Sequence, residues 1–191
     1  MTIAEQKKKL RKQMLAERAK LEKPMKDKYD HWICEEIWTI IVENKHQIVH
    51  CYLPMGAEIN IYPLIERMLE AGITVVTPKT LPRWQLQHLV LNSLDDLEKG
   101  VFGTRHPANS EVFTGAYDLI IVPGLAFDYQ HYRLGYGGGY YDNFLVHHPD
   151  TYKLGICYPF QRMETIPLES HDVELEEILC KIGRASCRER V

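Results

Sequence analysis

The chain has 191 residues, 45% of them hydrophobic, and a formal net charge of −3, which suits one domain with one substantial core. No apolar stretch follows the N-terminal charges and no window approaches 18 uninterrupted apolar residues, so the sequence predicts neither secretion nor membrane spanning and points to the cytoplasm. Residues 1–28 carry ten Lys or Arg against four acids; the remainder is acidic, so no global basic field recruits nucleic acid.

Thr2 to Leu21 reads as a basic amphipathic helix with Ile3, Leu10, Met14 and Leu21 near one face. Lys7 and Arg11 are four apart and share a face, either as a solvated charge run or as a pair able to reach one polyanion. Pro24 suits the first turn of a second helix running to about Asn44, with Trp32, Ile33, Ile37, Trp38 and Ile41 as its apolar stripe. Gln47 to Leu53 has strand length and composition and ends at Pro54 and Gly56. Glu58 follows, before a helix over about Ile61 to Ala71. An acid there suits a ligand site at a strand's C-terminal end or the dipole of the next helix.

Ile73 to Thr77 predicts a strand closed by Pro78. Trp84 to Asn92 alternates in part, as an antiparallel or edge strand would, Leu94 to Glu98 predicts a helical turn, and Val101 to Phe113 predicts a loop. Tyr117 to Val122 is a short strand apolar on both faces. Tyr140 to Val146 should be helical, Tyr152 to Tyr158 a strand, and Glu174 to Cys180 a last short strand. Strands alternating with helices predict a single-domain three-layer α/β/α sandwich, Rossmann-like, with a mostly parallel sheet. Cys34, Cys51, Cys157, Cys180 and Cys187 are odd in number and lack metal-ligand spacing, so they read as reduced thiols.

The stretch DLIIVPGLAFDYQHYRLGYGGGYYDNFL is the costliest in the chain. Gly135, Gly137, Gly138 and Gly139 together should cost roughly 2 to 4 kcal/mol relative to alanine. That cost suits a backbone that bends sharply or approaches a ligand closely with bare N–H groups. Arg133 just before the glycines favours a phosphate or carboxylate ligand. No Gly-Lys-Ser/Thr follows, and no acid stands at the position that would confirm GxGxxG, since Asp150 comes too early. Asp142 is either a Mg²⁺ ligand beside bound phosphates or a helix-dipole partner. Tyr140 and Tyr141 are suited to stacking on a flat heterocycle or to filling the core. No nucleophilic triad emerges; His147 and His148 read as surface residues, and His171 with Asp172 is a weak signal alone.

RLGYGGGYYD, preceded by VPGLAFD, resembles the signature of the 5-formyltetrahydrofolate cyclo-ligases, also called 5,10-methenyltetrahydrofolate synthetases. The resemblance spans residues 4–180 and includes the KxxLR start at Lys7 to Arg11, PMGAEI at Pro54 to Ile59, and HDV at His171 to Val173. It implies an ATP site at Lys7, Arg11, Arg133, Leu134, Gly135, Tyr136, Gly137, Gly138, Gly139, Tyr140 and Tyr141, with Arg133 catalytic. It implies Mg²⁺ on Asp142 and Asp172. Leu53, Glu58, Tyr136, Gly137, Gly138, Gly139 and Tyr140 would line the folate site. The implied reaction is ATP-dependent cyclisation of 5-formyltetrahydrofolate to 5,10-methenyltetrahydrofolate, with small-molecule partners only and a monomeric enzyme. A non-catalytic nucleotide- or folate-binding module is the alternative. Two departures stand out: His106 occupies a position where many relatives carry an acid, so the Gly103 to Pro107 loop is assigned no role, and Gly138 stands where some relatives have lysine. Residues 1–181 form the expected domain. Ile182 to Val191, IGRASCRERV, looks like translated sequencing adapter and is set aside as non-native.

Overall fold

The computed structural model describes residues 1–181; Cys187 and the segment read as adapter-derived lie outside the described residues. The chain opens with helix α1 (Ile3–Ala19), started by a reciprocal capping box between Thr2 and Glu5, which satisfies otherwise orphaned N–H groups. Its inward face is Lys7, Leu10, Met14 and Arg18, a helical spacing in which two cations are as buried as the apolar pair. Ile3, predicted to share that face, is exposed instead.

Helix α2 (Lys23–Glu43) buries Ile33, Cys34, Ile37 and Ile41. It leads through β1 (Ile48–His50) and α3 (Tyr62–Glu70) to β2 (Thr74–Thr80), which turns back into β3 (Leu86–Leu91). Pro78 lies within β2 and does not end it. Val76 points its carbonyl at β1 and accepts from Cys51 N–H, so Pro78, of the same parity, faces the side on which β1 has already left the sheet. Its missing N–H therefore costs no ladder bond. The predicted helical turn over Leu94 to Glu98 is corrected to strand β4 (Leu97–Lys99). It forms a hairpin with β5 (Arg105–Pro107) inside the segment predicted to be loop. Phe102, with φ +57°, and Gly103, with φ +77°, make its bend.

After β6 (Leu119–Val122) come two strands below the length at which periodicity is visible, β7 (Ala126–Asp128) and β8 (Arg133–Leu134). Then follow α4 (Tyr140–Leu145), β9 (Tyr152–Ile156), β10 (Arg162–Met163) and β11 (Glu177–Leu179). The main sheet has the order β11-β9-β6-β1-β2-β3 and is parallel except for β3; β10, β7 and β8 form a small second sheet.

Alternate residues of the central strands feed two cores, as a sheet covered on both faces requires. Val49, Val75, Leu119, Ile121 and Leu154 pack with α2 and α3, whereas Val76, Ile120 and Val122 pack with Phe144 and Leu145 of α4. This is the expected α/β/α architecture. A third cluster joins Leu10 and Met14 of α1 to Leu125, Ala126, Leu134 and Ile166, so α1 rides on the small sheet. Among the described residues no helix is long and apolar enough to cross a membrane. Cys34, Cys51, Cys157 and Cys180 are free thiols.

Candidate functional site

Strand β1 lies between β2, reached through α3, and β6, on its other side. The direction in which successive strands are added to the sheet thus reverses between β1 and β6, the position where open α/β sheets leave a crevice beyond the strands' C-terminal ends. A cleft of about 600 Å³ occurs there, floored by Tyr52 and Leu53 after β1, Pro78 of β2 and Pro123 after β6. Its size lies in the range of small-molecule sites. The structure brings Lys7, Arg11, Leu53, Glu58, Arg133 to Asp142 and Asp172 to this one cleft, from elements as far apart as α1 and the turn before β11.

The cationic side is held by ion pairs. Lys7, 5% exposed, donates to Asp172 Oδ2 at 2.7 Å and Oδ1 at 3.0 Å, and to Glu169 Oε2 at 2.8 Å. Arg133, 4% exposed, donates from Nη2 to Asp142 Oδ1 at 3.0 Å and lies 5.6 Å from the Tyr141 ring centre. Its Nε and the Tyr141 hydroxyl are buried without a partner. Arg11 Nε donates to Gly135 carbonyl at 2.9 Å and so clamps the glycine loop to α1. A Cβ on Gly137 would stand 3.2 Å from the Arg11 guanidinium carbon, and the residue's φ of +104° belongs to glycine.

The opposite side is organised by Glu58, which is buried. It takes Met55 N–H at 2.8 Å on Oε2 and the Tyr136 hydroxyl at 2.7 Å on Oε1. Burial pushes the Glu58 carboxyl up from its ordinary value, opposed by those two donors and by the positive charge of Arg18. Burial, and then the negative charge of Glu58, raise the Tyr136 hydroxyl, so it remains a donor at neutral pH. Leu53, Met55 and Leu86 add apolar surface to the same cleft, a combination suited to a flat heterocycle with N–H donors.

Several residues at or behind the cleft were not read from the sequence. Phe102, Thr104 and Arg105 line it, the last two from the Gly103 to Pro107 loop that was assigned no role; His106 turns inward, with Nδ1 3.4 Å from Glu98. Arg18 sits behind the wall and holds Tyr136, as described below. Nothing in a run of lysines and arginines distinguishes Arg18, since its partners are more than a hundred residues away. Among the described residues no group of three or more His, Cys, Asp or Glu converges as a metal cage.

A parallel sheet opening at its switch point beneath a glycine loop, with Lys7, Arg11, Arg133 and the buried Glu58 carboxylate in the cleft, defines an α/β protein of small polar ligands. The family model of the 5-formyltetrahydrofolate cyclo-ligases matches residues 3–181, and the chain belongs to that family. Over 164 residues it is 30% identical to a probable 5-formyltetrahydrofolate cyclo-ligase of Caenorhabditis elegans, covering 76% of this chain and 80% of that one. The mouse 5-formyltetrahydrofolate cyclo-ligase is 29% identical over 168 residues, 77% of this chain and 81% of its own. The solved structure of Aquifex aeolicus 5,10-methenyltetrahydrofolate synthetase superposes with a TM-score of 0.80 at 27% identity, covering 94% of this chain and 95% of that one.

Proposed function

We propose that this chain uses ATP and Mg²⁺ to cyclise 5-formyltetrahydrofolate to 5,10-methenyltetrahydrofolate, releasing ADP and phosphate. The observation that carries the reading is the convergence in one cleft of Lys7, Arg11, Arg133, the glycine loop and the Glu58 carboxylate. The formyl oxygen attacks the γ-phosphorus; the bond from that phosphorus to the ADP oxygen breaks. The formyl carbon then carries a phosphate leaving group. N10 attacks that carbon and gives up its proton, and the carbon–oxygen bond breaks to release phosphate. Positioning and charge neutralisation suffice for such a transfer, so no enzyme nucleophile is required.

In this reading the loop N–H groups, Lys7, Arg11 and Arg133 hold the phosphates, and Glu58, Leu53 and Tyr140 hold the folate. Asp142 and Asp172 are the residues that would hold Mg²⁺. The donor set fits: both are oxygen ligands, each is now neutralised by a cation, and an ion completed by phosphate oxygens and water needs only one or two carboxylates. When bound, the ion supplies neutralisation of charge on the transferring group. Lys7 and Arg133, paired to these carboxylates in this structure, are the cations that would engage phosphate were Asp172 and Asp142 to hold the ion. The unpartnered Arg133 Nε and Tyr141 hydroxyl support a polar ligand here, since a buried orphan group costs about 1 to 3 kcal/mol.

The test is incubation with 5-formyltetrahydrofolate and MgATP, following methenyl absorbance and ADP together. Equal amounts of both are expected. Binding of either ligand without ADP formation would move the protein to a non-catalytic nucleotide- or folate-binding module.

A further inference from the structure

Arg18 is a buried cation behind the cleft wall, its Nε without a hydrogen-bond partner, and the proposed reaction gives it no role. It lies one turn beyond Met14 on the inward face of α1 and is 5% exposed. Its fork is divided between two targets. Nη1 donates to the Tyr136 hydroxyl at 2.7 Å, and Nη2 donates to the Gly124 carbonyl at 2.8 Å. Gly124 follows the β6 end, so one nitrogen anchors to the main scaffold while the other reaches the glycine loop. The Tyr136 hydroxyl, accepting from Arg18, has its own proton free for Glu58, to which it donates at 2.7 Å. The order of donors is therefore forced: a guanidinium cannot accept and a carboxylate cannot donate.

We propose that Arg18 is a positioning residue for the folate half of the cleft, fixing the Tyr136 hydroxyl and through it the orientation and negative charge of Glu58. This rests on the folate reading given above. The geometry aims this buried carboxylate: Met55 N–H holds one oxygen, Tyr136 holds the other, and the positive charge of Arg18 works with both against the upward push of burial. The groups facing Glu58 are Arg18 from α1, Tyr52 after β1, and Tyr136 and Tyr141 from the glycine loop and α4. Tyr52 is committed elsewhere, donating to Ile59 carbonyl at 2.9 Å. Arg11 and Lys7, by contrast, are spent on Gly135 and on Asp172 with Glu169. Along α1 the labour is thereby divided, with Lys7 and Arg11 in its first half turned to the carboxylates and the glycine loop and Arg18 near its end turned to Tyr136 and Glu58.

The experiment compares wild type with Arg18→Met and the milder Arg18→Lys, each checked by thermal melting. Affinities for 5-formyltetrahydrofolate and for MgATP are measured separately, and the Glu58 carboxylate is titrated by carbon-13 NMR in the free enzyme. Arg18→Met should weaken folate binding about 10-fold or more, a step of ~1.4 kcal/mol, with MgATP affinity within about twofold. It should also raise the Glu58 titration midpoint, and Arg18→Lys should recover the midpoint but only part of the affinity. In the Glu58→Gln background, Arg18→Met should add little further loss. An unchanged Glu58 midpoint, losses that add in the double variant, or a parallel fall in folate affinity, MgATP affinity and melting temperature would each overturn the proposal. A wild-type protein that binds no folate would instead overturn the folate reading, and the titration would still report whether Arg18 governs Glu58.

Discussion

A methyl group on Gly135 would stand 2.8 Å from Nη1 of Arg133. The clash is with the end of a long side chain, so the backbone can keep its course while the guanidinium gives way. That guanidinium is buried and paired to Asp142 at 3.0 Å, and a displacement of a few tenths of an ångström misaligns a fork whose value lies in its geometry. Gly135→Ala is therefore expected to lower kcat/KM about 10-fold, or ~1.4 kcal/mol of transition-state stabilisation, with the melting temperature nearly unchanged. Arg133→Ala should lower it further, about 100-fold or more. Steady-state kinetics with circular dichroism melts check both; normal turnover in Gly135→Ala would mean that Arg133 has room to spare. The costly glycine cluster was legible in the sequence. What was not legible is that Gly135 makes space for the arginine two residues before it.

Helix α1 is attached to the rest of the molecule by charge as much as by apolar contact. Leu10 and Met14 reach the small sheet, while Lys7 closes on Asp172, whose side chain is only 7% exposed. Removing one partner of such a buried pair leaves the other charge unpaired, at a cost on the order of 3 kcal/mol. Lys7→Met should lower the melting temperature accordingly, and adding Asp172→Asn should restore part of it without restoring turnover. Thermal melts of the single and double variants check this, and additive losses would show that the pair contributes nothing to holding α1. The sequence placed α1, and the sharing of a face by Lys7 and Arg11 followed from helical spacing. Its inward face was harder to read, because an apolar stripe was sought and Lys7 and Arg18 belong to it. The two- and three-residue strands β7, β8 and β10 escaped for a related reason: elements that short carry no period and exist only through pairing.

At the scale of the whole molecule, the alternating α/β pattern and the parallel sheet were readable because strands covered on both faces are apolar runs. The site was readable mainly through its glycine loop, with Lys7, Arg11 and Glu58 open to either a binding or a structural role, since the sheet's switch point is a property of strand order. One further property belongs to the fold as a whole. His50, on the central strand β1, has no exposed surface and meets His88 of β3, the antiparallel strand beyond β2, at 3.1 Å between ring nitrogens. Tyr117, Tyr141 and Phe144 pack around the pair, and His148 closes one side. Burial holds His50 well below the ordinary imidazole range, with His88 and His148 adding repulsion, and burial takes His88 down to about 4. Both are therefore neutral in the folded protein near neutrality, whereas the unfolded chain takes up these protons as pH falls below about 6.5. The unfolded state then binds more protons, so stability is fully present above that pH and is lost as pH falls toward 4. The melting temperature should drop by about 5 °C or more between pH 7.5 and pH 5. A His50→Leu, His88→Leu variant should flatten that slope, because an apolar pair has nothing to protonate. A slope of equal steepness in the double variant would place the acid sensitivity in the carboxylate pairs around the cleft.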